Sequence, residues 1–361
     1  TLTETETDQL LDYRTLKALN KLRSSDAGLA FDEETVADIR DRELEAARRY
    51  QRALRTFDGI EGDGPALSLV RRAVREAWDR RQEAVFRCLG LVHPPDEVYR
   101  CYLAVVHGRR RVRASAVEWL EGILDRRLFA RLQPVLAPGP AASSWAGGSP
   151  GEPAGVLRRI GRDKDRWVTR CAIWAGAELG IGDLTSLTEG TGGDPVDAEL
   201  RALSRRLERA GRVDVERYEP GEGTMDLVQK VLLLQNIDLL RETRSEQLAL
   251  VASVAELVEA EPGAVLVRRG EPPDATVVVV DGNVELKRGE TVLKEASADT
   301  PFGTWALVDD EPSVVEARAT EPTTLLRIGR RDFENVLADN PELAQGLLQG
   351  LSRRVRELVQ A

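Results

Sequence analysis

From Thr3 to about Leu257, apolar residues recur at the three-to-four-residue spacing of amphipathic helices, and long β-branched runs are absent. Leu10, Leu11, Tyr13, Leu16, Leu19 and Leu22 form one stripe, and residues 36–57, rich in Arg and Glu, form a second. A third, over 67–91, carries Leu69, Val70, Ala73, Ala77, Ala84, Val85 and Leu89 before Pro94-Pro95 stops it. Asp96 opens a helix over 98–106. A basic break at 108–111 leads to helices over 114–124 and on to Pro134. Residues 137–154 (APGPAASSWAGGSPGEPA) have the composition of a flexible loop. Helical pattern resumes at Val156, over 163–179 and over 195–210.

After Pro262-Gly263 the period shortens. Residues 264–267, 276–280, 284–287, 291–293, 314–319 and 323–328 read as short strands, with Gly263, Gly282 and Gly289 where tight turns need positive φ. Such strands predict a small jelly-roll-like β-roll. Two helices should follow, over 331–338 and 341–360, the second with Asn340 as N-cap and Pro341 at its first position. The expected fold is multidomain α + β, an N-terminal α-solenoid followed by a β-roll with flanking helices. The domains are placed at 1–220, including the loop at 137–154, and 221–361.

Composition narrows the function. With 42% hydrophobic and 31% charged residues the 361-residue chain reads as globular and able to bury sizeable cores. No apolar run approaches the roughly 18 residues of a membrane span. Residues 1–10 lack the basic start and apolar core of a secretion signal. Thr1 comes first and the sole methionine is Met225, so an upstream segment, a membrane domain among the candidates, is expected. A net charge of -10 and a pI near 5.1 argue against a dedicated nucleic-acid binder. Cys88, Cys101 and Cys171 are widely spaced in apolar helical contexts and read as reduced core residues of a cytoplasmic protein. With only His93 and His107 beside them, no zinc site is expected. No catalytic set, Walker loop or dinucleotide fingerprint stands out, so the chain is read as a non-enzyme without cofactor or metal.

Two resemblances then bear on the chain. Residues 165–175 with 178–180, and 113–121, resemble second helices of HEAT repeats, with Ala114, Ala116, Ala172 and Ala175 letting neighbouring helices approach. More specific is the succession Glu261-Pro262-Gly263, Arg269-Gly270-Glu271-Pro272-Pro273-Asp274, Asp281-Gly282-Asn283-Val284 and Phe302-Gly303, with Phe333 and Leu337 beyond it. This resembles the cyclic-nucleotide-binding domain, effector domain of catabolite activator protein-like regulators, and residues 225–235 look like its lead-in helix. Together the two resemble the soluble C-terminal region of bacterial proteins related to nucleotide (ATP/ADP) transporters.

The resemblance implies a phosphate-binding cassette reading Phe-Gly-Glu-x-Ala-Leu, a spacer, then Pro-Arg-Ser/Thr-Ala. Phe302, Gly303, Ala306, Leu307 and Pro312 fit it; Thr304 stands at the glutamate, Ser313 at the arginine and Val315 at the small alanine. The site residues this implies are Phe302, Gly303, Thr304, Trp305, Ala306, Leu307, Ser313 and Val314. A buried phosphate without its charged partner loses on the order of 2–5 kcal/mol. The missing ribose acceptor adds roughly 1–3 kcal/mol. The loss amounts to several orders of magnitude in affinity, and Asp309, Asp310 and Glu311 deter an anion further. Cyclic AMP and cyclic GMP are therefore not expected to bind. Trp305 is expected to fill the vacated pocket, while strand alternation leaves the direction of Arg318 open.

The resulting expectation is a regulatory or scaffold module, cytoplasmic or at the cytoplasmic face of a membrane. Its partner would be another protein or a membrane domain of the same polypeptide. A homodimer would form through the C-terminal helix, with its stripe of Leu343, Leu347, Leu348, Leu351, Val355 and Leu358. DNA is not an expected partner, since no helix-turn-helix follows the roll. The competing expectation is a sensor that binds a cyclic nucleotide or another small anion and moves that helix. Arg109, Arg110, Arg111 and Arg113 read as a solvated turn, or as a contact for anionic lipid or an acidic partner; Trp145 tucks back on the helices or marks a docking spot.

Overall fold

The computed structural model describes residues 4–26, 28–60, 64–137, 152–161, 165–181, 203–209, 211, 213–215 and 225–360. Most of the loop expected at 137–154, with Trp145, and most of the helix expected over 195–210 lie outside them, and the loop's last two residues, Pro153 and Ala154, already belong to a helix. The chain divides into two compact units, Thr1–Val213 and Asp214–Ala361. Among the described residues no helix is long and apolar enough to cross a membrane.

The first unit is helical: α1 (Glu4–Ser25), α2 (Glu33–Asp58), α3 (Pro65–Val92), α4 (Pro95–His107), α5 (Arg110–Ile123), α6 (Arg126–Leu132), α7 (Pro153–Ile160), α8 (Arg166–Glu178) and the helical residues 203–209 (α9). Its centre is α3, which packs on α1, α2, α4 and α8. Tyr50, Phe57, Trp78 and Trp174 are among its fully buried side chains. Polar groups on α3 and its neighbours fasten the ends of these helices. The N-terminus of α3 has no side-chain cap of its own, and Glu178 from the end of α8 accepts from the amides of Ala66 (3.2 Å) and Leu67 (2.9 Å). Asp165 caps α8 at Val168 N and also receives Arg80 at 2.8 Å. Ala116, Ala172 and Ala175 are buried as expected for close helix approach, whereas Ala114 is exposed.

The second unit holds α10 (Leu227–Leu234), started by a capping box of Asp226 and Gln229, and α11 (Ser245–Ser253). Two four-stranded antiparallel sheets follow, in orders β1-β8-β3-β6 and β2-β7-β4-β5. Their strands are β1 (Glu256–Ala260), β2 (Val265–Val267), β3 (Ala275–Asp281), β4 (Val284–Arg288), β5 (Thr291–Ala296), β6 (Pro301–Phe302), β7 (Glu316–Ala319) and β8 (Thr323–Gly329). Val277, Val279, Val284, Ala296, Phe302, Ala317, Ala319 and Leu325 form the core between them. Helices α12 (Arg330–Asp339) and α13 (Glu342–Gln360) close the unit.

Helical pattern was expected to about Leu257, but α11 stops at Ser253 and β1 begins at Glu256. Its partner is β8, with Glu256 opposite Arg327, and a pairing so distant in sequence leaves no local signal. Asn340 sits between the last two helices: its side-chain amide donates to the Val336 carbonyl of α12, and its own carbonyl accepts from Leu343 N of α13 at 2.9 Å. The expected leucine stripe of α13 is split. Leu343 and Leu347 are buried and Leu351 half-buried, while Leu348 and Val355 are exposed, as is Val359 beside the stripe.

Candidate functional site

Phe302 is buried, its strand β6 pairing with Val277 of β3. The chain then turns at Gly303, with φ +67°, and an added Cβ would stand 3.0 Å from the Ala275 carbonyl. Glycine is therefore required twice over, by the left-handed backbone and by the close approach of β3. Thr276 Oγ1 donates to the Gly303 carbonyl at 2.9 Å and holds the turn on the sheet. A 3₁₀ turn over Thr304–Leu307 follows, burying Ala306 and Leu307 and leaving Thr304 half-buried. Trp305 is 53% exposed. The expectation that its indole would fill the vacated pocket is corrected: on a four-residue 3₁₀ turn, the inward places are taken by Ala306 and Leu307.

The other arm of the cassette is tied to the Gly270-Glu271 loop. Ser313 N donates to the Glu271 carbonyl (2.9 Å), and Gly270 N donates to the Ser313 carbonyl (2.8 Å). The half-buried Ser313 turns its hydroxyl to the Val315 carbonyl at 2.8 Å, and Val314 is exposed. Val314, Trp305 and Val308 are large apolar side chains left open on this stretch.

Three arginines near the cassette, Arg318, Arg330 and Arg327, are engaged elsewhere. On β7, Ala317 and Ala319 are buried in the core, so Arg318 belongs to the opposite face, together with Glu316. There it pairs with Glu316 at 2.8 Å and donates to the Gly263 carbonyl at 2.9 Å. The alternation left open by sequence thus resolves outward, and Arg318 lies on the face of β7 away from the core. Arg330, at the start of α12, pairs with Asp310 and donates to the carbonyls of Asp309 (2.5 Å) and Pro273 (3.0 Å). Arg327 pairs with Asp274 at 2.8 Å.

Two features of this region escaped the sequence reading. One is the grip of Arg330 on the acidic loop. The other is Asp299, the one non-glycine with positive φ among the described residues, which turns the chain into β6. A polar residue after Ala298 hints at such a turn, but nothing local announces Arg330. Among the described residues no group of three His, Cys, Asp or Glu converges on a metal-sized site.

Residues 257–340 match the family model of the cyclic nucleotide-binding domain. This segment, which takes in the two antiparallel sheets and α12, is a cyclic nucleotide-binding domain. The chain is similar to a cAMP-dependent protein kinase regulatory subunit of Emericella nidulans, 26% identical over 106 residues (29% of this chain, 26% of the relative). It is also similar to a Pycsar effector protein of Xanthomonas perforans, 24% identical over 144 residues (40% and 46%). A cyclic nucleotide-gated potassium channel of Mesorhizobium japonicum is 34% identical over 83 residues (23% of each chain). The chain thus spans between about a quarter and a half of these relatives. Among solved structures, the N-terminal domain of a transcriptional regulator from Streptomyces coelicolor is 28% identical with a TM-score of 0.34, covering 36% of this chain and 96% of that one. The sensor domain of the regulator DNR from Pseudomonas aeruginosa is 29% identical with a TM-score of 0.30, covering 36% and 89%.

Proposed function

We propose that this chain is a non-catalytic regulatory module whose cyclic nucleotide-binding domain keeps its fold but does not hold cyclic AMP or cyclic GMP. One observation carries the proposal: where the cassette needs a guanidinium, Ser313 turns its hydroxyl onto the Val315 carbonyl, and Arg318 faces away on β7. A phosphate entering there would lose its hydration without gaining a charged partner. The regulatory part of the proposal draws on the relatives, of which one is a kinase regulatory subunit and another a channel gated by cyclic nucleotides.

In this proposal the helical unit is a HEAT-like scaffold that presents its surface to a partner, either another protein or a membrane domain of the same polypeptide. The exposed Leu348, Val355 and Val359 of α13 serve a homodimer. Calorimetry with cyclic AMP and cyclic GMP tests the cassette, with a Ser313→Arg, Thr304→Glu double variant as the control. The native chain should show no binding, and the double variant a gain of roughly a hundredfold or more. Micromolar binding by the native chain would sink the proposal.

The exposed Trp305 favours a second reading, a sensor for another small anion, because its indole is not packed into the core and stands open beside the cassette. A ligand-dependent rise in hydrogen-exchange protection along α13 would support it. Unchanged protection with inorganic phosphate and with cyclic nucleotides would exclude those ligands.

A further inference from the structure

Between Glu97 and Glu118 the chain carries five arginines (100, 109, 110, 111 and 113) and no acid, in a protein whose net charge is -10. The stretch covers α4 beyond its acidic first turn (Asp96, Glu97), the corner after it and the first half of α5. Arg113 is structural, folding back to donate to the carbonyls of Val105 (3.0 Å) and Gly108 (2.9 Å) and fastening the corner. Arg109, Arg110 and Arg111 are exposed, and among the described residues none of the three has an ion pair or side-chain hydrogen bond. Arg100 is exposed too and reaches only the Asp96 carbonyl.

Apolar side chains stand among these charges. Tyr99 and Leu103 are exposed one turn apart on α4, with His107 a further turn along, and Val112 is 54% exposed in the first turn of α5. Arginines at a helix N-terminus oppose the macrodipole, and α5 has neither a side-chain cap nor an acid in its first turn to offset them. An arrangement that costs folding stability and leaves both cations and apolar groups open is matched by a partner that is anionic at its surface and apolar just beneath. A bilayer of acidic phospholipid has that layering, with headgroup phosphates above and acyl chains below. A nucleic acid or an acidic peptide offers the charge without the apolar layer.

We infer that the α4–α5 corner is a docking surface for an anionic phospholipid membrane, with Arg100, Arg109, Arg110 and Arg111 on the headgroups and Leu103, Val112 and Tyr99 at the acyl boundary. The inference concerns the helical unit and is independent of what the cassette binds.

Co-sedimentation of the full chain with vesicles tests it, comparing phosphatidylcholine alone with one part phosphatidylglycerol in two of phosphatidylcholine. Binding is expected only to the mixed vesicles, and it should fall as salt shortens the Debye length towards about 3 Å at 1 M. An Arg109→Glu, Arg110→Glu, Arg111→Glu variant should bind about a hundredfold more weakly, each arginine near the surface contributing about fivefold. Acids suit a helix N-terminus, so this variant should melt no lower than the native chain, which separates lost binding from lost fold. Leu103→Ser, Val112→Ser should weaken binding severalfold with the salt dependence unchanged. Failure to bind the mixed vesicles, or full binding by the triple variant, would overturn the inference. So would a native chain that prefers single-stranded RNA to vesicles, or a Leu103→Ser, Val112→Ser variant that binds as well as the native chain.

Discussion

Replacing Arg330 with methionine should loosen the cassette loop while leaving the roll folded. The guanidinium reaches the carbonyls of Asp309 and Pro273 and the carboxylate of Asp310, linking α12 to both sides of the loop. The Asp310 side chain is 86% exposed, so that ion pair contributes below about 1 kcal/mol. Each bond from the charged donor to a carbonyl is worth about 1.5 kcal/mol, but the exposed Asp309 regains water when the arginine leaves. A net local loss near 2 kcal/mol follows, which corresponds to about thirtyfold in an opening equilibrium. Methionine keeps much of the apolar stem, so packing should change little.

Hydrogen exchange at single amides reads the effect directly. Asp309 N donates to Trp305 O (3.0 Å) and Ser313 N to Glu271 O (2.9 Å), so both amides are protected until the loop opens. In the Arg330→Met variant they should exchange about thirtyfold faster. Amides of β3 and β8, whose core residues are buried, should hold their rates. Arg330→Lys, with charge but no planar fork, should fall between. Native rates at Asp309 and Ser313 in the methionine variant would show that the guanidinium does not hold the loop. Equal acceleration throughout β3 and β8 would show a global effect instead.

Asp165→Ala should cost the helical unit about 2 kcal/mol, because it removes the α8 cap and one carboxylate contact of the mostly buried Arg80; urea denaturation should show it, and a loss below about 0.5 kcal/mol would contradict the capping role. Stability should also respond to pH. Burial, assisted by the Arg23 charge, holds the His93 imidazole below its ordinary value. The unfolded chain therefore takes up that proton more readily, and stability should fall as pH drops through about 6.5. A His93→Gln variant whose urea midpoint changes with pH as the native chain's does would refute that assignment. At the other end, burial pushes the Cys88 thiol up to about 12. Stability should decline from about pH 8.5, where the unfolded thiol ionises, towards 12. Iodoacetamide at pH 8 should leave Cys88 unmodified until the chain unfolds.

Much of the architecture can be read from local patterns. Helical periodicity marks α2, α4 and α5, which keep a polar face beside a buried one, and the turn glycines of the roll mark positions where a Cβ is costly. Gly282, at φ +89°, would put a Cβ 2.7 Å from the Pro322 carbonyl, and Gly303 is comparably hemmed in. The absence of an arginine at Ser313 and of a glutamate at Thr304 is likewise plain from the residues themselves. The residue types on which the proposed loss of nucleotide binding rests are therefore legible in the sequence.

What the chain does around that gap was decided only in three dimensions. Whether Arg318 could compensate depended on which face of β7 the core claims, and the burial of Ala317 and Ala319 turned it outward. Trp305 stands exposed because a turn of four residues has few inward positions, and Ala306 and Leu307 hold them. The strand β1, the Glu178 cap on α3 and the hold of Arg330 on Asp310 join groups far apart along the chain or on separate elements. Periodicity reports which side of an element is apolar; which distant group meets the other side is set by packing, and no local pattern encodes it.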